Sequence, residues 1–217
     1  MNNKPVIIVG TGGHAKVVAD MLKLSNREIL GFVDPKMDAE LDFCGKKVLG
    51  DDSVISQYPH NEIELANGIG SLPGKKNRWK LADKMRMQGY SFATIVHPSS
   101  IIAPDVFLGE GVQVMAGVVI QSSVKIGKDS IINTGAIVDH DCNILKNCHL
   151  SPGVVCSGGV LIGENTHVGT GSIVIECISI GKNSIIAASS VVYRDVPDGM
   201  VLIQKKQQKL TIQGSKS

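Results

Sequence analysis

The run NTGAIVDHDC, residues 133–142, sets an imidazole, His140, directly beside a carboxylate, Asp141. A histidine whose neighbour stabilises its protonated form can take a proton from an attacking amine or hydroxyl near neutral pH. A second group lies near the start. Gly10-Thr11-Gly12-Gly13-His14-Ala15 approaches the G-x-G-x-x-G/A fingerprint, and Asp34 follows about twenty residues later. Backbone N–H groups at the start of a helix there would face a phosphate, because that end of a helix is electropositive and its amides are unpaired. A third group is the pair His149 and His167, which could hold a metal if stacked. The five cysteines, Cys44, Cys142, Cys148, Cys156 and Cys177, include no CxxC pair and read as small buried hydrophobes rather than a disulfide or metal set.

The element that must position His140 is a repeat. From Ser99 to Arg194 the chain divides into sixteen hexapeptides with no insertion, and the fourth residue of each, from Ile102 to Val192, is aliphatic except at Cys156. The second residue is small or β-branched, so second and fourth point inward with one outward residue between them. This is the pattern of a parallel β-helix, whose units bury their apolar face only by stacking, with three hexapeptides to each coil. Fifth-position residues such as Gly109, Gly127, Asn133, Asp139, Gly163, Gly169 and Gly181 are expected to turn the corners in a left-handed backbone conformation. His140 is sixth in its block, on a corner and facing outward, with Gly158 one coil above it. His149 and His167, one coil apart, are third in theirs and should stack outward.

Before the repeat, strands and helices alternate. PVIIVG and EILGFVD read as strands around a helix from His14 to Leu24, whose apolar face is Val17, Val18, Met21, Leu22 and Leu24. A strand at 62–66, a helix at 77–88 and a strand at 92–96 follow, giving a small α/β unit with a parallel sheet. At about ninety residues it lacks the second half of a full dinucleotide domain, so a nucleotide attached to another group suits it better than NAD. The expected division is an α/β domain over 1–96, a β-helix over 97–198 and a tail over 199–217, in which Lys205, Lys206 and Lys209 form a basic run.

The charge balance, 22 Lys plus Arg against 20 Asp plus Glu, is a net +2 and gives no basis for nucleic acid or an acidic membrane as partner. No stretch is as long and apolar as a membrane span requires, and MNNKPVIIVG has no signal-peptide core, so the reading is a cytoplasmic protein.

Together, the G-x-G-G-H-x-K opening and a hexapeptide prism carrying NTGAIVDHDC resemble the NeuD/PglD-type acetyltransferases of bacterial amino sugars and sialic acid. The resemblance covers nearly the whole chain. It implies a left-handed β-helix, a homotrimer with acetyl-CoA in grooves between subunits, and a nucleotide-linked amino sugar held by the N-terminal unit, with no metal. It assigns His140 as catalytic base and Asp141 as its acidic partner. His149, Gly158 and Thr170 match the acetyl-CoA contacts, while Gly12, Gly13, His14, Asp34, Gly70 and Asn133 match the acceptor side. The implied reaction is N-acetylation for surface-glycan synthesis, and O-acetylation of sialic acid or a related sugar would use the same base. Two features depart from the family pattern: Ser71 and the enlarged loop LPGKKN after Gly70, and the ending MVLIQKKQQKL. A γ-type metal-dependent hydratase also uses a hexapeptide prism, but its ligand spacing is not reproduced by His140, His149 and His167.

Overall fold

The computed structural model describes residues 4–204, so the basic run Lys205, Lys206 and Lys209 lies outside the described residues. The N-terminal unit is a five-stranded sheet in the order β3-β4-β2-β1-β5. Its strands are β1 (Val6–Val9), β2 (Ile29–Val33), β3 (Asp42–Phe43), β4 (Lys46–Gly50) and β5 (Glu64–Asn67). All pairs are parallel except the β3–β4 hairpin. Alternation along β1 splits the core: Val6 and Ile8 pack with helix α1 (Gly13–Leu24), Ile7 and Val9 with helix α2 (Asn77–Met87). The buried face of α1 is Ala15, Val18, Ala19, Met21 and Leu22, a helical stripe. Val17 and Leu24, expected on that face, are exposed at 43% and 57%; the two alanines take their place and let the helix lie close to the sheet.

The hairpin β3–β4 escaped the sequence reading. Its turn is Cys44-Gly45 with φ of 56° and 74°. Two successive positive φ values match the right-handed twist of the flanking strands, but a cysteine at the first place gives no turn signal.

Beyond the unit, each hexapeptide forms a strand of two residues, and the strands stack in three parallel sheets of six, five and seven. Partners are three hexapeptides apart, as in Ile137 with Val155 and Val155 with Ile173. Every fourth-position residue from Val114 to Val192 is buried. Second-position Ser130, Thr166 and Ser172, also buried, donate to the carbonyls of Leu145, Gly181 and Ala187 one coil on. Cys148 substitutes for a hydroxyl, its thiol donating to Gly163 O at 3.1 Å, and burial pushes its pKa up to about 12. The described cysteines are all free; Cys142, Cys148 and Cys156 are buried.

The corners follow a different rule from the one expected. Left-handed residues occupy the first position of every block from Gly111 onward, among them Gly135, Asp141, Asn147, Gly153, Gly159 and Asn165, all with φ between 59° and 69°. The fifth-position glycines, and Asn133 and Asp139 with them, do not have positive φ. Gly127, Gly163 and Gly181 are glycine for want of room: an added Cβ would lie 2.5, 2.4 and 2.4 Å from the backbone N of Lys146, Lys182 and Asp198 in the coil above. Stacking also runs past the hexapeptide register at both ends. Ile95–Val96 pairs with Gln113–Val114, and Val201–Leu202, within the segment expected as a tail, pairs with Ile185–Ile186.

Gly163→Ala should therefore destabilise the protein by about 1–3 kcal/mol, because the coils must part to admit a methyl group. Gly135→Asn, at φ 66° with nothing within 4 Å of the added atom, should stay within about 1 kcal/mol of the parent. Denaturant unfolding of both variants checks this, and equal losses would contradict the close-approach account.

Candidate active site

His140 stands on the corner after Ile137–Val138, between two flanking carboxylates. Its backbone N–H donates to Asp139 Oδ1 at 2.8 Å, and its ring Nδ1 lies 2.8 Å from Asp141 Oδ2. Asp141 can turn back towards the ring because it takes the left-handed corner conformation, φ 60°. An acceptor at Nδ1 fixes the tautomer with its proton there and leaves Nε2 as a base facing outward. The bond to Asp141 first, and the charge of Asp139 second, raise the imidazole pKa above its ordinary value. One coil above, Gly159 N donates to His140 O at 2.9 Å. A Cβ on Gly158 would come within 2.6 Å of His140 Cε1 and 2.7 Å of Nε2, so only glycine leaves the ring in place. The Gly158 N–H takes no part in the coil-to-coil ladder.

A second polar group joins the α/β unit to the prism. The face of the seven-stranded sheet presents Gln113, Ile131, His149 and His167 in register. Gln113 Oε1 accepts from His14 Nε2 at 2.8 Å and Arg78 NH2 at 3.0 Å, and its amide donates to Asn67 O. Arg78 is fully buried; its NH1 donates to the carbonyls of Asn67 and Ile69, and burial lowers its pKa to about 10. The same burial, with Arg78 beside it, holds His14 at about 4. His14 thus spends its ring on the prism, not on the space before the glycine turn. Gly12 and Gly13 remain open there, with nothing within 4 Å of an added Cβ and no side chain capping the first turn of α1. Gly70 packs behind the turn, where a Cβ would lie 3.6 Å from that of His14.

His149 and His167 do stack, with rings edge to face at 4.8 Å, but His149 is not free for a ligand. Its Nδ1 lies 3.1 Å from Ser71 O and its Nε2 3.1 Å from the Asn133 amide, so it is neutral and clamped between the loop after β5 and the prism. Burial, then the neighbouring His167, lowers its pKa to about 3. Among the described residues no three His, Cys, Asp or Glu side chains group as a metal site. Next to His167, the Ser71–Lys76 loop and Trp79 wall a cleft of about 210 Å³ against Asn165, Thr166 and Asn183.

Asp34 sits at the carboxyl end of β2. It accepts from Thr11 N at 3.0 Å, Thr11 Oγ1 at 2.7 Å and Lys36 N at 2.9 Å, and so ties the glycine turn to the strand beside it. It borders a cavity of about 340 Å³ over the carboxyl ends of β1 and β2.

Within one chain, then, the candidates fall into four places. His140, Asp141 and Gly158 share one edge of the six-stranded sheet, while Asn133 and Thr170 lie on the corner at its other edge. His14 and His149 belong to the junction of unit and prism. Gly12, Gly13 and Asp34 face the cavity side of the unit. Arg78, Gln113 and Asn67 were missed. A buried arginine bonded to carbonyls has no sequence signal, and Gln113 shows only as a polar residue between two valines once the register is known.

Comparison with known proteins is decisive. Residues 5–85 match the PglD N-terminal domain, and residues 105–140 match the bacterial transferase hexapeptide repeat. PerB from Caulobacter crescentus, solved in complex with CoA and GDP-perosamine, is 40% identical over 91% of this chain and 92% of its own, with a TM-score of 0.82. The chain belongs to the NeuD/PglD-type sugar acetyltransferases. The acetyltransferase domain of PglB from Neisseria gonorrhoeae, in complex with acetyl coenzyme A, is 28% identical over 92% of this chain and 96% of its own, with a TM-score of 0.85. UDP-N-acetylbacillosamine N-acetyltransferase of Bacillus subtilis is 37% identical over 119 residues, and the match spans 52% of each chain. Against the pattern of NeuD/PglD-type proteins, Ser71 still serves through its backbone: the carbonyl, not the side chain, meets His149.

The histidines of this NeuD/PglD-type chain should titrate apart. By NMR, His140 should protonate above 6.5, His14 near 4 and His149 near 3. For His14 and His149 the unfolded chain takes up protons first, at about 6.5, so stability is full above that pH and is lost as pH falls towards the folded values. His14 alone accounts for about 3 kcal/mol of this loss. Denaturation midpoints that stay level between pH 7 and 4, or a common pKa for His14 and His140, would contradict the burial argument.

Proposed function

We propose that this chain transfers the acetyl group of acetyl-CoA to the amino group of a nucleotide-linked amino sugar, with His140 as general base. The observation that carries this is the His140–Asp141–Gly158 corner, set in a chain that is 40% identical, nearly end to end, to an N-acetyltransferase solved with CoA and GDP-perosamine. That the relatives are N-acetyltransferases favours an amine over a hydroxyl as acceptor.

The chemistry follows from the corner. An amine nitrogen attacks the thioester carbon, and His140 Nε2 takes its proton as the C–N bond forms. Asp141 stabilises the resulting imidazolium. The thioester oxygen becomes negative and is placed against the unused Gly158 N–H, and collapse releases the CoA thiolate, which recovers the proton. Gly12, Gly13, Gly70 and Asp34, with His14 as the prop behind the turn, form the acceptor side of the N-terminal domain expected over 1–96, whose last two residues, Ile95 and Val96, already stack on the prism. Asn133, whose amide meets His149 Nε2, belongs to the acceptor side as well, while Thr170 lies on the acetyl-CoA side of the β-helix over 97–198 and His149 acts there only as a buried prop. No metal is assigned.

A homotrimer completes the site. Outward third positions of the six-stranded sheet are Ile101, Val119, Ile137, Val155, Ile173 and Val191, an unbroken aliphatic ladder in a single file. Four of these are 40% exposed or more, far from the polar outer surface a solitary prism would carry. Packing this face against a neighbour, repeated about a threefold axis, buries the ladder and leaves His140 at the rim of the groove. Among the described residues no helix is long and apolar enough to cross a membrane, and the cytoplasm, where acetyl-CoA is made, is the proposed location.

His140→Ala should lower kcat by about 10² to 10⁴ with acetyl-CoA affinity retained, because an exposed corner carries little packing. Asp141→Asn should lose less and move the acid limb of the pH profile to lower pH, since the imidazole loses the carboxylate that raises its pKa. A thiol-release assay with UDP- and GDP-linked amino sugars measures both. More than about a tenth of parental turnover left in His140→Ala would overturn the assignment.

A further inference from the structure

The cavity over the carboxyl ends of β1 and β2 has a chemistry of its own. Its floor is Val9, Gly10 and Val33, and its walls are Asp34, Pro35 and Lys36 on one side and Ile69, Asn77 and Leu81 on the other. In an open α/β sheet a nucleotide lies across such strand ends, with its phosphates at the first helix and its base over the neighbouring strands. The base end here is closed by Asp52, at the start of the 3-10 helix Asp52–Gln57 that follows β4.

Two adjacent aspartates at this point have different tasks. Asp51 caps the 3-10 helix, its Oδ1 accepting from Ser53 N at 2.9 Å and Ser53 Oγ at 2.6 Å. Asp34 is committed to Thr11 and Lys36. Asp52 has no hydrogen bond or ion pair among the described residues, yet it is half-buried beside the apolar walls of Ile69 and Leu81. An idle carboxylate at the edge of a flat, partly apolar cavity is a receptor for a group with two parallel N–H donors.

We propose that Asp52 reads the nucleobase and selects guanine, its two oxygens accepting from N1–H and the 2-amino group while Ile69 and Leu81 cover the ring. Among the common bases guanine alone presents two adjacent donors on one edge. Uracil offers a single N–H between two carbonyl oxygens, which a carboxylate repels. Inosine keeps N1–H but lacks the amino group and so would make half of the contact. The inference deepens the proposed function, since it rests on a nucleotide-linked acceptor occupying this unit, and it commits that acceptor to the guanosine series.

Calorimetric titration of the full chain with GDP, IDP and UDP tests it, with acetyl-CoA binding as the check that each variant is folded. The parent should bind GDP at least tenfold more tightly than UDP and severalfold more tightly than IDP. In Asp52→Asn and Asp52→Ala the GDP-to-UDP ratio should fall below about threefold while acetyl-CoA binding stays as in the parent, because the lost contacts are two charge-assisted hydrogen bonds. UDP binding as tightly as GDP in the parent, or a GDP preference that survives both substitutions, would overturn the assignment. The outcomes separate from those of the function itself: acetyl transfer to UDP-linked but not GDP-linked amines removes the base assignment alone. No transfer to either, with no diphosphate bound, removes both.

Discussion

Coil-on-coil register is the constraint from which the rest of this molecule follows. A strand of two residues has no stability of its own, and its N–H and C=O groups are satisfied only by the strands one coil before and one coil after it. One inserted residue would turn an inward side chain outward and break three ladders at once. The register therefore fixes which side chains share a corner. His140 lies under Gly158 because the two are one coil apart, and the imidazole has room because the coil above offers no Cβ at that point. The left-handed backbone that lets Asp141 reach back to the ring is the conformation that every block from Gly111 onward uses to begin. Proton-accepting geometry and fold thus share one cause.

The docked α/β unit adds a second, more costly contact. Arg78 is buried without a carboxylate within hydrogen-bond reach and is held by two carbonyls and the Gln113 amide oxygen. Its two terminal nitrogens are occupied in this way while Nε is buried without a partner, so removing Gln113 would leave the charge still less compensated. Nearer the rim, Arg86 makes the conventional contact, a bidentate pair with Asp129 at 2.7 and 2.8 Å. These two arginines, with His14 and His149, hold the glycine turn and the loop after β5 in a fixed position on the prism. Neutral histidines suit that role, because a charge at either would add to the one already borne by Arg78.

Features governed by period were legible in the sequence: the hexapeptides, the inward ladders and the outward corner of His140. The corner chemistry was legible only in part. Glycines at the fifth position and small polar residues at the first both look like turn residues, and only the distance to the coil above, 2.4 Å at Gly163, separates crowding from left-handedness. Likewise, His14 in a glycine-rich turn reads as a ligand contact, while its partner Gln113 lies far along the chain, in the prism. His149 looks free in an outward position until the Ser71 carbonyl is laid over it. The α/β unit was readable as a class, but the Cys44-Gly45 hairpin was not, because one residue of its turn has no turn propensity. What depended on contacts between unit and prism could not be read from either alone.

In the proposed trimer, the groove at His140 lies between copies, and the acceptor side is proposed to be contributed across the aliphatic face by the neighbouring chain. Subunit complementation tests it most directly. His140→Ala and Gly13→Trp are each made inactive at a different half of the site, then unfolded together in equal amounts and allowed to reassemble. With shared sites, random mixing leaves roughly a quarter of the centres with both halves intact, so acetyl transfer should reappear at about that fraction of the parent. Activity no higher than that of the two variants assayed separately would show that each chain carries its whole site and would contradict the account.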